Sequence, residues 1–299
     1  MTASVSPAGP GPATPDPRAS AAPGYDPRRT LPVRVEVIRQ LRRRRTMVAF
    51  LILLVLPWIL VGAFKLGGPA QPGNGPPELA GLATDGGLNF AAFSFFASSG
   101  FLLVVVVALF CGDTIASEAN WSSLRYLLAA PVPRTRLLRQ KMIVALGYAA
   151  VALVIFPAMS LLAGTVAFGW HPLRLPATQI ELPYGTALAR TGITLVYVMI
   201  TLLVVAALAF LLSVSTDSPL GAVGGAVGLI IVGNILDQVT ALGSWREILP
   251  SYWQFAWLDA YSAQLSWGAM VEGAAVSVSY ALVLFALAFR LFRRKDIVS

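Results

Sequence analysis

The chain has 299 residues, 57% of them apolar and only 12% charged, and its mean hydropathy is +0.72. Soluble domains carry roughly 45–50% apolar and about 25% charged residues, so this composition excludes an ordinary soluble domain and points to an all-α integral membrane protein. The formal net charge of +8 does not read as nucleic-acid binding, because the cations sit beside apolar stretches, where they orient a chain in a membrane.

Residues 1–30 are rich in Pro, Ala and Gly without apolar periodicity, and read as a disordered tail. From Thr30 and Pro32 onward, Val35, Ile38 and Leu41 recur at three-residue spacing, which predicts a short amphipathic helix. Its polar side carries Arg34 and Arg39 and runs into Arg42–Arg45, suiting a helix that lies along an anionic leaflet. An unstructured arginine cluster that only stops transfer is the plainer alternative.

Met47–Leu66 is the first expected span, too far from the start and too poor in small cleavage-site residues to be a removable signal. Gly67–Gly87 reads as a Gly/Pro-rich exterior loop, and Asn89–Cys111 as the second span, about the 20 residues needed to cross the hydrocarbon core. The polar stretch Asp113–Lys141 then interrupts the apolar pattern. A third span lies within Met142–Phe168, followed by an exterior loop over Gly169–Pro183. The fourth occupies about Ala187–Leu212, Ser213–Pro219 is a turn, and the fifth is Leu220–Leu236. Asp237–Ala269 is dense in Trp, Tyr and Phe, which predicts short re-entrant or surface helices at a membrane interface. The sixth span is Met270–Leu291.

The expected fold is thus six transmembrane helices with an N-terminal amphipathic interfacial helix and short exterior re-entrant helices. Of the 22 Lys and Arg, nine lie in the tail and first helix, five in Asp113–Lys141 and four in Arg290–Lys295. The positive-inside rule therefore predicts a multi-pass plasma-membrane protein with both termini and the Asp113–Lys141 segment in the cytoplasm.

Chemistry inside the spans is sparse. Lys65, Asp113, Arg190, Asp237 and Glu272 all fall near predicted span ends, whereas ion-coupled carriers need acids or broken helices at the midplane. Ala97–Ser98–Ser99–Gly100 resembles a nucleophile turn, but the single histidine, His171, lies in a distant loop, so small residues packing between helices explain it better. The lone Cys111 excludes a multi-cysteine metal site. No Gly-Lys-Ser/Thr phosphate loop occurs, so ATP, if it drives this chain, must be brought with Mg by another polypeptide. No enzymatic activity, metal or bound cofactor is expected.

Two further patterns stand out. Gly221/Gly225 and Gly224/Gly228 form overlapping GxxxG pairs, read either as a subunit interface or as packing within one subunit. Ser94 and Ser98 share a face of the second span near Phe90 and Phe101, a polar-aromatic stripe that either lines a substrate path or bonds neighbouring helices.

The residues Glu118, Ser122-Ser123-Leu124-Arg125, Leu127-Leu128, Pro131-Val132-Pro133-Arg134 and Lys141, with the Phe292–Ile297 ending, resemble the ABC-2 type transporter permeases. In that family an acid, Gly-Thr-Leu-Arg, Pro-Val-x-Arg and a Lys mark the first cytoplasmic loop; here Ser122-Ser123 stands for Gly-Thr, and serine is a good helix-initiating residue. The six-span layout carries the resemblance over about residues 30–299.

The resemblance implies an exporter made of two permeases, identical or paralogous, and two ABC ATPase subunits; the expected solute, amphipathic or hydrophobic, such as an antibiotic, drug or lipid-like compound, is read instead from spans that offer aromatic and small polar residues but no midplane charges. Residues 31–299 would form the transmembrane domain, with a coupling helix at about 121–130 seated in the ATPase. Trp121, Ser123, Leu124, Leu128 and Pro131 would build that contact, Arg125 and Arg134 would pair with acids of the ATPase, and Glu118 would bridge to the first amphipathic helix. Arg136, Arg139 and Lys141 would only hold the loop in the cytoplasm. Two other readings stand beside it: a membrane anchor, regulatory or immunity subunit of an ABC-type ATPase complex, and an inert basic connector that only sets topology.

Overall fold

The computed structural model describes residues 33–67, 77–120, 134–175, 178 and 180–294. The expected tail, 1–30, and the expected coupling helix, 121–130, lie outside them. Nine helices occur among the described residues: α1 (Val33–Leu41), α2 (Arg44–Leu66), α3 (Pro77–Leu82), α4 (Gly87–Ser99), α5 (Leu102–Asn120), α6 (Arg134–Phe168), α7 (Tyr184–Ser215), α8 (Pro219–Asp237) and α9 (Gly268–Arg294). Two 3-10 segments, Thr240–Ile248 and Ala256–Tyr261, join α8 to α9, and a minimal hairpin, β1 (Leu173–Arg174) with β2 (Glu181–Leu182), joins α6 to α7.

Five of these helices (α2, α6, α7, α8, α9) are long and apolar enough to cross a membrane. The chain is a multi-pass α-helical membrane protein. Taken together, α4 and α5 would make a sixth crossing, but they meet at 57°, so the second span expected over Asn89–Cys111 falls on two helices with a corner between them. The corner has local causes. Ser99 Oγ donates to the Phe96 carbonyl at 3.0 Å, in competition with the helix ladder. Gly100, next in line, completes the Ser-Gly combination at which helices kink. Phe255 and Gln254 of the α8–α9 connection sit against the corner at Gly100.

Helix α7 is the hub, packed by α5, α8 and α9 and touched by α6. Its buried stripe includes Ala206, Ala207 and Ala209, small side chains that admit neighbouring helices where lipid offers no hydrophobic drive to associate. Helix α4 leans instead on α6. A Cβ on Gly87 would lie 2.8 Å from the Thr165 backbone nitrogen, so the two helices could not meet there with any larger residue.

The α8–α9 connection corrects another expectation. Trp245 and Trp267 are exposed, as an interfacial belt would have them, but Trp253, Trp257 and Tyr261 are buried in the bundle. Helix α7 holds them there: Tyr197 Oη donates to the Trp253 carbonyl at 2.6 Å, and Arg190 donates to the carbonyls of Ala260, Ser262 and Ala263. On the other flank Gly273 of α9 is bare because a Cβ would lie 2.6 Å from Trp253 Cβ.

Candidate functional site

The stretch Asp113–Lys141 is not a single polar interruption. Asp113–Asn120 continues α5, and Arg134–Lys141 opens α6, so residues 121–133 are all that separates the two helices. Polar residues can extend membrane-length helices here because their charges are matched by partners from two other elements.

Two linked groups of charges do the matching. In the first, Glu118 of α5 accepts from Lys141 Nζ of α6 at 2.5 Å and from Arg39 of α1. Lys141 also reaches Glu36 at 3.2 Å, and Arg39 reaches Glu36 at 2.8 Å, which closes a ring of four. In the second, Asp113 of α5 accepts from Arg43 at 2.6 Å and from Arg45 at 2.7 Å, while Arg43 also donates to Ser117 Oγ at 3.0 Å. Asp113 and Ser117 are four apart, hence on one face of α5.

Burial differs sharply across the ring. Glu118 and Lys141 are 3% and 1% exposed, Arg39 40%. Burial alone would raise the Glu36 carboxyl, but Lys141 and Arg39 together outweigh it and hold it below its ordinary range. Against the cost of its own burial, Arg39 is held above the usual guanidinium range by Glu36 and Glu118.

Helix α1 owes its position to this ring and to Tyr148 Oη of α6, which donates to the Val37 carbonyl at 2.7 Å. Its polar side faces the protein, with Gln40 buried, and Val33, Val35, Ile38 and Leu41 face outward, where a bilayer interface would receive them. On its other side, α5 is hooked to α7: the Ile115 and Ala116 amides both donate to Ser213 Oγ at 3.0 Å. The α5 end beside residues 121–133 is therefore gripped by the charges on one face and by the α7–α8 corner on another.

Of the residues singled out for coupling, Glu118 sits in the ring and makes the expected bridge to α1. Trp121, Ser123, Leu124, Arg125, Leu128 and Pro131 lie outside the described residues, and Arg134 is placed only as the first residue of α6. Lys141 was assigned a topological part and is instead among the most buried side chains. Glu36, Arg43 and Asp113 are members of the charge groups that sequence reasoning left out. Lys141 had a readable signal: Leu137, Leu138, Val144 and Ala145, at the helical spacings around it, are all buried.

The stripe on α4 is dispersed. Phe90 is fully buried against Phe64 and Phe168, Ser94 and Ser98 are buried on α4, and Phe101 is exposed beyond the helix end. On α8, Gly221 and Gly225 are exposed, and a Cβ on Gly224 or Gly228 would meet nothing. Gly225 approaches only Leu212 of α7, and Ala222 and Ala226 form the buried side of the helix. Among the described residues no group of three or more His, Cys, Asp or Glu side chains could hold a metal ion.

The family described as "Protein of unknown function (DUF2705)" matches residues 78–298. The chain belongs to this family. The match takes in Asp113, Ser117, Glu118 and Lys141 and leaves Glu36, Arg39, Arg43 and Arg45 before its start. No curated protein matches the chain.

Proposed function

We propose that this chain is the permease subunit of an ATP-driven exporter of the ABC-2 type, with its ATPase on a separate polypeptide. The observation that carries the reading is the placement of charge: the segment whose sequence resembles a coupling helix, about 121–130, is bracketed by Glu118 and Lys141, buried and paired with each other and with α1. A connector that only set topology would keep its charges in water, where they cost nothing. Burying a lysine and a glutamate is expensive and is offset only in a well-matched geometry.

On this reading α4–α5 serves as the second of six crossings, and the charged end of the bundle is cytoplasmic together with both termini. Residues 121–130 dock on the ATPase through Trp121, Leu124 and Leu128, with Arg125 and Arg134 meeting its acids. When the ATPase, holding ATP and Mg, closes, the displacement enters α5 and α6 together because their ends are tied. It reaches the α7–α8 corner through Ser213. The solute is amphipathic or hydrophobic, a drug or a lipid-like compound, and a second permease completes the path.

The test is reconstitution with the cognate ATPase. Leu124→Asp or Arg125→Glu is expected to lower ATP-dependent solute flux at least tenfold and to weaken co-purification, with the melting temperature of the bundle unchanged. Wild-type flux in both variants would sink the docking assignment. A complex that hydrolyses ATP but moves no solute would instead favour an anchoring or regulatory subunit.

A further inference from the structure

Helices α8 and α9 both pack on α7 and leave a cleft between them, which residues 249–254 of their connection roof over. The space enclosed is about 270 Å³, near the lower end of the roughly 300–1,000 Å³ of ligand pockets. Its walls are apolar, with Val104 from the first turn of α5, Leu202 and Leu208 from α7, Ile230 from α8 and Leu284 from α9. None of the residues lining it is charged.

Apart from Thr201 of α7 and Tyr280 of α9, the polar side chains of the lining gather at the roofed end. Asn234 stands one turn before the end of α8, and Ser251 and Gln254 come from the roof itself. Ser251 Oγ and Gln254 Nε2 are buried and make no hydrogen bond among the described residues. Leaving a buried polar atom without a partner is costly, and here two such atoms border the same cavity. The Gln254 amide also lies close to Gly100, at the corner between α4 and α5. The opening runs between two spanning helices past Leu229 and Tyr280, both substantially exposed. Anything entering by that route comes from the lipid phase.

We propose that this cavity binds one neutral amphiphile taken from the bilayer, its apolar body against α7 and its hydroxyl, ester or amide head on Ser251, Gln254 and Asn234. Each part of the site selects a feature of the ligand. The uncharged lining rejects phosphate and ammonium heads, whose desolvation nothing here would offset. The unpartnered donor and hydroxyl select a head that can accept and donate. The lateral opening selects a molecule that partitions into lipid. The inference concerns binding alone and stands or falls without the permease reading.

The experiment uses the purified chain in nanodiscs, without an ATPase, and a photoreactive monoacylglycerol carrying a diazirine at the end of its chain. Cross-links mapped by mass spectrometry are expected on α7 near Leu208 and on α9 near Leu284. Unlabelled monoacylglycerol should compete, and lysophosphatidic acid of the same chain length should compete at least tenfold more weakly. Leu229→Trp, which narrows the entrance, should remove the labelling. Gln254→Leu and Ser251→Ala should each weaken competition about tenfold, the loss expected for a buried hydrogen-bonding partner. All three are judged on protein that keeps the wild-type melting temperature, and Leu229 at the rim is the substitution least able to disturb the fold. Labelling spread evenly over lipid-facing peptides and unchanged by Leu229→Trp would overturn the proposal. Equal competition by the phosphate-headed analogue would overturn it too.

Discussion

At the scale of residues, the Glu118–Lys141 pair dictates what mutation will do. Lys141→Met removes the buried partner of Glu118, leaves its carboxylate to Arg39, which is 40% exposed, and is expected to cost about 3 kcal/mol, the low end for a broken buried pair. The double variant Glu118→Leu/Lys141→Met should recover most of that loss, because Glu36 and Arg39 keep each other as partners. Thermal melts of both proteins check the claim, and a double variant no more stable than the single would refute it. The ring also has a pH signature. Glu36 is held below its ordinary value of 4.5, so its ionised form stabilises the fold throughout the range above that value. The contribution is lost only as pH falls through the depressed folded value. The melting temperature of wild type minus that of Glu36→Gln should therefore stay level down to pH 4.5 and shrink only below it. A difference that already shrinks near neutrality would show that Glu36 does not behave as its surroundings require. The bridge from Glu118 to α1 was legible because an acid just before an amphipathic turn needs a cation. Asp113 was not, because its partners, Arg43 and Arg45, lie some 70 residues away in a run of four arginines that sequence reading cannot tell apart.

At the scale of elements, the α8–α9 connection shows how a segment rich in aromatic residues can be drawn inward by a few polar hooks. Arg190→Met removes the donor to three carbonyls, and Tyr197→Phe removes a buried hydrogen bond worth about 1–3 kcal/mol when its partner is left bare. Both are expected to raise hydrogen exchange across residues 249–262 by at least tenfold while leaving α5 and α6 protected. Uniform loss of protection would mean that the hooks hold the whole bundle. Helix existence and order could be read from apolar runs of membrane length, since five such runs survive as single helices. The corner at Gly100 could not: Ser98-Ser99-Gly100 is ordinary sequence for a spanning helix, and what occupies the corner, Phe255 with Gln254, arrives from more than 150 residues downstream.

At the scale of the molecule, the proposed orientation and assembly rest on the distribution of charge and of bare surface. The positive-inside count predicts that Ser122→Cys reacts with a membrane-impermeant maleimide only after cells are opened, and Trp170→Cys in intact cells. Labelling of Ser122→Cys from outside would reverse the orientation. Gly224 and Gly228 of α8, where an added Cβ would meet nothing among the described residues, are where a second copy or a sister permease would come close on the proposed reading. The helical class and approximate spans were open to sequence reasoning because lipid demands long, internally satisfied helices. The assignment of those glycines was not, because a small residue admits a neighbour without saying whether it belongs to the same chain.

The charge groups also impose an order on biosynthesis. Arg43 and Arg45 are made about 70 residues before Asp113, and Glu36 precedes Lys141 by 105. At ordinary translation speeds of about 5–20 residues per second, α1 and α2 therefore wait on the order of ten seconds for their counterions. Until Lys141 leaves the ribosome, Glu118 has Arg39 but not Lys141, and the four-member ring stays open. A nascent chain arrested at residue 140 would hold every helix up to α5 and still lack the cation that closes the charged end. Completion of that end is thus an event of α6, the second of the five membrane-length helices, and until it happens α1 lacks one of its partners.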